Sequence, residues 1–392
     1  MINVAFFNQH FLVQNEVIGA LKRLPSIRVV VVDIADHPAA QQAKKACRAL
    51  TDNNCAVLCT INDWGLDAEG ILSAHLGKKA IIHVNWCVDD PFFMEIFHNR
   101  PLNAASNRVD FVSNRAYVGP MRARGLDAHF LPLAVDPTLF FPAPGPPAYK
   151  RDVCFVGNSY RKQLDQFCEG HGPFMEGLAP FMGELLKRYE TDMLVDIGAE
   201  AAKKIAEIDL PASLNVPQAT FIVKHFISYL FRKRLVCSLA RSYPGFMVFG
   251  DEFWLCDLPK EKVSLATGYY TNLNETYAQT KINIDINRVV ITEGMTQRVF
   301  DCLAGENFIM TNKKSIVNEF FSTEGAGREV VVFDNERHCK ELIDHFLDRD
   351  DERRAIAQRG RKRVLAEHTY DHRLRTMLRA VSNHIGTKNS YF

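Results

Sequence analysis

Three consecutive stretches decide the fold: Lys281-Ile-Asn-Ile-Asp-Ile-Asn287, Glu293-Gly-Met-Thr-Gln-Arg-Val-Phe-Asp301 and Cys302-Leu-Ala-Gly-Glu-Asn-Phe-Ile-Met-Thr-Asn312. The first reads as a buried strand. Glu293-Gly294 closes the loop after it, and Thr296 stands where a helix N-cap belongs. Val299, Phe300, Leu303 and Ala304 then recur at helical spacing, and Gly305 ends the helix. Asn307–Thr311 reads as the next strand. Strand, helix and strand in this order predict a parallel pair with a right-handed crossover.

Outward from this unit the same pattern repeats. Arg151–Gly157, Gly245–Gly250 and Glu329–Phe333 read as further strands, with helices near 173–188, 219–241, 314–321, 336–347 and 350–366. In the first third, strands at Ile2–Phe7, Val29–Asp33, Ala56–Thr60, Lys79–Val84 and Asp110–Ser113 alternate with helices near 13–23, 38–50, 67–76 and 115–124. Their continuous apolar character suits strands buried on both faces. The segment Phe141-Pro-Ala-Pro-Gly-Pro-Pro-Ala-Tyr149 can be neither helix nor strand. The expected plan is an α/β domain at 1–141, a Pro-rich linker at 142–150, a second α/β domain at 151–375, and a C-terminal helix or tail at 376–392 that returns to the first domain. Residues 160–218 mix Gly, Pro and charge with helical fragments, and read equally as an insertion shaping a substrate site or as packing.

Bulk composition sets outer bounds. A chain of 392 residues with 47% apolar and 24% charged residues has room for two globular cores. A formal net charge of +1 provides no global field for nucleic acid. The 10 cysteines form no C-x2-C pair and sit mostly in apolar runs, as reduced thiols do. The first residues lack a basic n-region, and no apolar stretch is long enough to span a bilayer. The expectation is a cytoplasmic protein.

Three constellations carry candidate chemistry. In Arg151-Asp-Val-Cys-Phe-Val-Gly-Asn-Ser-Tyr-Arg-Lys162 a strand runs into Gly157 and Asn158, with Arg161 and Lys162 following. A close backbone approach, a helix N-terminus and two cations suit a phosphate. A plain turn with surface cations is the alternative. In the second constellation Gly294, Met295, Thr296 and Arg298 lie at a strand's carboxyl end, flanked by Glu293 and Asp301. Arg298 and Asp301 could instead form a surface i,i+3 ion pair. The third, Ile81-Ile-His-Val-Asn-Trp-Cys-Val-Asp-Asp-Pro91, delivers Asn85, Trp86, Asp89 and Asp90 to a strand end, where an acid can deprotonate a hydroxyl acceptor. Its alternative is a core Trp and an Asp-Pro turn. His10 follows the first strand and is a second candidate there. The basic amphipathic run Phe221–Arg234 leaves peripheral contact with a membrane's inner face as the alternative to packing on a sheet. No spacing supports a metal site, and Asn8-Gln-His-Phe11 stands where a dinucleotide fingerprint would need glycines.

Taken together, and most firmly from Val263 to Arg379, these pieces resemble the glycosyltransferase-like proteins of the spore-maturation CgeB family. The likeness rests on Lys281–Asn287, on Arg298–Ala304 with Phe308–Asn312, and on Arg353–Tyr370; Asp152–Gly157 and Trp86–Pro91 extend it. The resemblance implies a GT-B fold: two Rossmann-like domains facing a cleft, the acceptor on the N-terminal side and a nucleotide-sugar donor on the C-terminal side. It implies hexosyl transfer of a bacterial type, without an obligatory metal or other cofactor and with a retaining outcome, from a UDP-sugar first and a GDP- or dTDP-sugar as alternatives. The acceptor would be a hydroxyl of a glycan, a lipid-linked glycan or a protein. In the related Glu-x7-Glu element the first acid contacts the donor sugar and the second holds the ribose. The matching positions here are Glu293 and Asp301, the latter one methylene shorter. Asp89 or His10 would serve the acceptor. A catalytically inactive, nucleotide-sugar-binding scaffold is the main rival reading.

Overall fold

The structure, a computed structural model, describes residues 1–11, 13–102, 104–145, 148–265 and 268–389, with side chains through 384. Pro146 and Pro147 of the expected linker fall outside the described residues. The chain forms two compact units, Met1–Ala134 with His368–Phe392, and Val135–Glu367. The chain thus leaves the first unit ahead of the Pro-rich stretch and returns to it after the helix Asp350–Glu367.

Unit 1 is a six-stranded parallel sheet of β1 (Ile2–Asn8), β2 (Ile27–Asp33), β3 (Val57–Ile61), β4 (Ile82–Cys87), β5 (Arg108–Val112) and β6 (Ala128–Phe130), in the order β2-β1-β3-β4-β5-β6. Successive side chains alternate across the sheet, and β1 uses both faces. Val4 and Phe6 pack with the helix Gln14–Lys22 and with Tyr370, Leu374 and Met377 of the C-terminal helix Tyr370–Asn389. Ala5 and Phe7 pack on the other face with Ala43, Leu50, Leu72 and Leu76 of the helices Ala40–Asp52 and Ile71–Lys78. The strand expected at Lys79–Val84 begins later, at Ile82. The helix before it closes through a left-handed Ala80 (φ 52°), and the Ile81 N–H donates to the Leu76 carbonyl. The helix expected at 115–124 is a 3-10 turn, Arg115–Tyr117, followed by the short helix Val118–Arg122.

Unit 2 repeats the plan with β7 (Arg151–Val156), β8 (Phe246–Phe249), β9 (Val263–Ser264), β10 (Thr280–Asp285), β11 (Ile309–Asn312) and β12 (Val331–Phe333), all parallel, in the order β12-β11-β10-β7-β8-β9. Cys154 pairs with Asn283 and with Met247, placing β7 at the centre. The hard-to-read stretch after Tyr160 is helical: Arg161–Cys168, Gly172–Thr191 and Ile197–Ile205, then the long helix Val216–Ser242. Met175, Leu185, Tyr189, Ile197 and Ile205 join the unit's core, so this stretch packs. The long helix starts at a capping box, Asn215 with Gln218. Phe221, Ile222, Val223, Ile227 and Phe231 are buried in unit 2, so the apolar residues of the basic run are core residues.

Candidate functional site

In an open parallel sheet, ligands bind beyond the carboxyl ends of the strands where the strand order reverses. In unit 2 that point lies between β7 and β10; in unit 1 it lies between β1 and β3.

At the unit 2 switch point β7 runs into Gly157. A Cβ there would stand 2.8 Å from Cζ of Phe155 and 3.4 Å from Nη1 of Arg298, so a side chain would crowd the Arg298 guanidinium. The Gly157 carbonyl accepts the Trp254 indole N–H at 2.9 Å. Ser159 donates its N–H and its hydroxyl to Asp251 at 3.0 and 3.1 Å. Tyr160 follows with φ 67°, a left-handed conformation that a bulky residue adopts at a cost.

On the β10 side the strand ends in Asp285, which is 0% exposed. Its Oδ1 accepts from the Thr296 hydroxyl and from Arg298 Nε, both at 2.9 Å. Its Oδ2 accepts from the Thr311 hydroxyl at 3.1 Å and from Asn287 Nδ2 at 3.0 Å. Asn287 Oδ1 in turn accepts the Thr296 N–H at 3.0 Å. Both oxygens of this buried carboxylate are satisfied, and it aims the Arg298 side chain. Thr296 does stand at the N-cap of the helix Gln297–Ala304, but it caps nothing with its side chain because its hydroxyl is committed to Asp285. Burial works against the Arg298 charge, and Asp285 more than restores it.

Arg232, from the long helix, ties the two strand ends together. It is 1% exposed. Its Nη1 donates to the Asn158 carbonyl at 2.9 Å and its Nη2 to the Ile286 carbonyl at 2.7 Å. Its guanidinium lies 4.7 Å from the Tyr160 ring centroid, and that of Arg288 lies 5.1 Å from the same ring. Among the described residues Arg232 has no carboxylate partner. Burial pushes it down to about 10, with Tyr160 opposing that shift, and it stays charged at neutral pH. The Tyr160 phenol is pulled down to about 8: burial raises it, and Arg288, Arg232 and Arg298 outweigh that.

The structure thus brings Gly157, Asn158, Thr296 and Arg298 of the expected site together. Arg161 instead pairs at its exposed helix with Asp165 at 2.8 Å, and Lys162 is exposed. Glu293 is exposed at the loop before the helix, whereas Gly294 and Met295 are buried. Asp301 is 1% exposed, in the electrostatic neighbourhood of Tyr277. The expected alternative of an Arg298–Asp301 surface pair does not describe Arg298, whose carboxylate partner is Asp285. Sequence reasoning missed Tyr160, Arg232, Asp285, Asn287 and Arg288. Asp285 was legible as a lone acid inside an apolar strand; Arg232 was hidden in the run Arg232-Lys-Arg234, which resembles a solvated face.

At the unit 1 switch point His10 (φ 59°) is exposed, 3.3 Å from Asp33. Asn62 and Asp63 are both left-handed (φ 53° and 58°). Asn62 donates to Asp89 at 2.9 Å and accepts the Val88 N–H at 2.8 Å. Asp89 is exposed, and Asp90 accepts the Phe92 N–H at 3.0 Å. Beneath them lies a closed network. Arg108 donates to Asp63 at 2.7 Å and to the two oxygens of Asp110 at 2.6 and 2.8 Å. Asn85 donates to Asp110, accepts from the Thr60 hydroxyl and the Asp63 N–H, and is fully buried. Burial opposes the Arg108 charge, and Asp63 with Asp110 outweighs it, so the group is held well above its ordinary value. Burial drives His83 down to about 3, so it is neutral. Trp86, expected beside the acceptor, is 1% exposed; its indole N–H donates to the Leu131 carbonyl at 3.0 Å and its ring meets Tyr370 edge-on.

Among the described residues no group of three or more His, Cys, Asp or Glu is placed to hold a metal ion, and no helix is long and apolar enough to cross a membrane.

Residues 232–379 match a family model described as glycosyl transferase-like. The fold is similar to a glycosyltransferase from Rickettsia africae ESF-5, with a TM-score of 0.53 and 10% identity over 98% of both chains. It is also similar to HepE of Anabaena, solved in complex with UDP-glucose, with a TM-score of 0.56 and 9% identity over 100% of both chains. No curated protein matches the chain in sequence. At such identities the likeness establishes the fold, two Rossmann-like units of the GT-B type.

Proposed function

We propose that the chain is a nucleotide-sugar-dependent glycosyltransferase whose second unit grips the donor's diphosphate with Arg232, Arg288 and Arg298. The observation that carries this is Arg232: a buried guanidinium at the switch point that donates to two backbone carbonyls and has no carboxylate partner among the described residues. Burying a charge without a counter-charge is costly, and a bound anion offsets that cost. The glycosyl transferase-like match begins at this same residue, and HepE was solved with UDP-glucose.

The chemistry follows from the charge. When the glycosidic bond to the donor breaks, negative charge develops on the departing phosphate. Guanidiniums fixed in advance stabilise that charge without reorganising. They supply it from side chains, in keeping with transfer that needs no obligatory metal. Asp285 holds Arg298 on target as a positioning residue. Glu293, exposed at the loop, is assigned to the donor sugar. Asp301 enters as the ribose contact on the CgeB resemblance alone, as does the retaining outcome. The acceptor hydroxyl is assigned to unit 1, where His10 follows β1 and Asp89 follows β4.

A binding screen tests this. UDP, GDP, ADP, CMP and dTDP are titrated by calorimetry and thermal shift; at a hundredfold excess over Kd, binding to the folded state adds about 2.7 kcal/mol of stability. At least one is expected to bind, and Arg232→Met is expected to raise its Kd about 30-fold, the equivalent of about 2 kcal/mol for lost charge-assisted hydrogen bonds. Silence from all five nucleotides, or wild-type affinity in the variant, would overturn the assignment.

A further inference from the structure

The geometry points to Tyr160 as a catalytic residue that donates a hydrogen bond from its phenol to the departing phosphate of the donor. This rests on the diphosphate reading above and adds a role that neither the motifs nor the resemblance assigned.

Tyr160 is set apart first by its backbone. It is one of few non-glycine residues with positive φ, and it directly follows the Gly157–Ser159 loop, which is pinned by Trp254 and Asp251. Strain in a bulky residue persists only where the surroundings impose it, and it concentrates at functional sites. Its ring is gripped next. The guanidiniums of Arg232 and Arg288 both lie over it, at 4.7 and 5.1 Å. Tyr160 as a residue is partly exposed at this strand end.

The hydrogen-bond inventory then decides what the hydroxyl can do. A phenol carries one proton to give and lone pairs to receive. Arg232 favours the charged form of the phenol. Guanidinium groups offer protons and no lone pairs. The three arginines about Tyr160 can therefore give protons to its oxygen but cannot accept its own. An oxygen-rich anion in the arginine cluster supplies an acceptor. During transfer the bond from the sugar's anomeric carbon to the phosphate oxygen breaks, and the electron pair stays on that oxygen. The acceptor oxygen bonds to the carbon and releases its proton. Tyr160 shares its proton with the departing oxygen and keeps it, so atoms and charge balance without a further reactant.

The charged groups facing Tyr160 are Arg232 on the long helix, Arg288 on the loop after β10 and Arg298 on the helix Gln297–Ala304. Of the carboxylates at these strand ends, Asp285 is engaged with Arg298 and Asp251 with Ser159. The cluster favours the phenolate, and the free-protein value near 8 reflects it. A bound diphosphate brings opposing charge, so the phenol is expected to titrate higher in the complex.

The experiment is a spectrophotometric pH titration of phenolate absorbance in the full chain, wild type minus Tyr160→Phe, free and saturated with UDP or whichever nucleoside diphosphate the screen finds. The expected difference curve has a midpoint near pH 8 in the free protein, and about one unit or more higher with the nucleotide bound. Tyr160→Phe keeps the ring between its arginines, so its melting midpoint is expected to stay close to wild type and its nucleotide Kd to rise by no more than about 10-fold, the loss of one hydrogen bond. UDP release from UDP-glucose is expected to fall about 10- to 100-fold in kcat, and the alkaline limb of kcat/KM near pH 8 is expected to disappear. A midpoint that bound nucleotide leaves unmoved, or an unchanged kcat in Tyr160→Phe, overturns the role of Tyr160 while leaving the diphosphate site standing. Failure of every nucleoside diphosphate to bind removes the site itself.

Discussion

Each unit buries an arginine near its switch point, and the two are partnered in opposite ways. Arg108 in unit 1 is enclosed by two carboxylates, Asp63 and Asp110, with Asn85, Thr60 and His83 completing a closed polar network. Arg232 in unit 2 meets, among the described residues, carbonyls and the rings of Tyr160 and Phe155, with two further arginines close by and Asp285 already committed to Arg298. The first site holds its arginine's counter-charges. The second leaves the Arg232 charge without a carboxylate among the described residues, at the position where open α/β sheets bind ligands. A buried charge with its counter-charge present is a structural device; one without it is an invitation to an anion.

The largest expected effect breaks the closed network. Arg108→Met leaves the buried Asp110 and the half-buried Asp63 without their partner, and urea unfolding is expected to show a loss of about 3–5 kcal/mol. A loss below about 1 kcal/mol would erase the contrast with Arg232. The next effect reads the same network through pH. His83 is held near 3 by burial, against an ordinary value near 6.5. Below pH 6.5 the unfolded chain takes up a proton that the native state refuses, so stability is complete above that pH and falls as pH drops toward 3. At about 1.4 kcal/mol per pH unit, roughly 2 kcal/mol is expected to be lost between pH 7 and pH 5. His83→Gln is expected to flatten that slope, and parallel urea midpoints in both proteins at the two pH values would refute it. The smallest effect is on unit 2 without ligand. Arg232→Met orphans carbonyls rather than charges, so its ligand-free stability is expected to drop by only about 1–2 kcal/mol. A drop as large as that of Arg108→Met would mean that Arg232 too is chiefly structural.

Legibility followed sequence distance. The strand–loop–helix–strand unit from Lys281 to Asn312 could be read because its signals are local: apolar periodicity, a loop and a glycine stop. Thr296 and Arg298 belong to that stretch and were legible with it. Arg161 looked equally good by proximity to Gly157, yet an exposed Asp165 one helical turn away holds it. Trp86 looked like a ligand platform and is core, because its ring fills the space against Tyr370, a residue near the other end of the chain. Residues 160–218 gave weak signals because their helices are defined by packing against unit 2's sheet and one another rather than by clean periodicity of their own.

Two parallel α/β units, their order along the chain and the helix beginning near Thr296 were determined by the sequence alone, since short-range periodicity and turn chemistry carry that information. The charge balance at the two switch points was decided by tertiary structure. Arg232 meets the carbonyls of Asn158 and Ile286 across more than fifty positions of chain. Whether a buried guanidinium finds a carboxylate or only backbone depends on which strand ends the fold sets side by side. No local pattern encodes that, because the free energy of a buried charge is set by neighbours that only folding supplies.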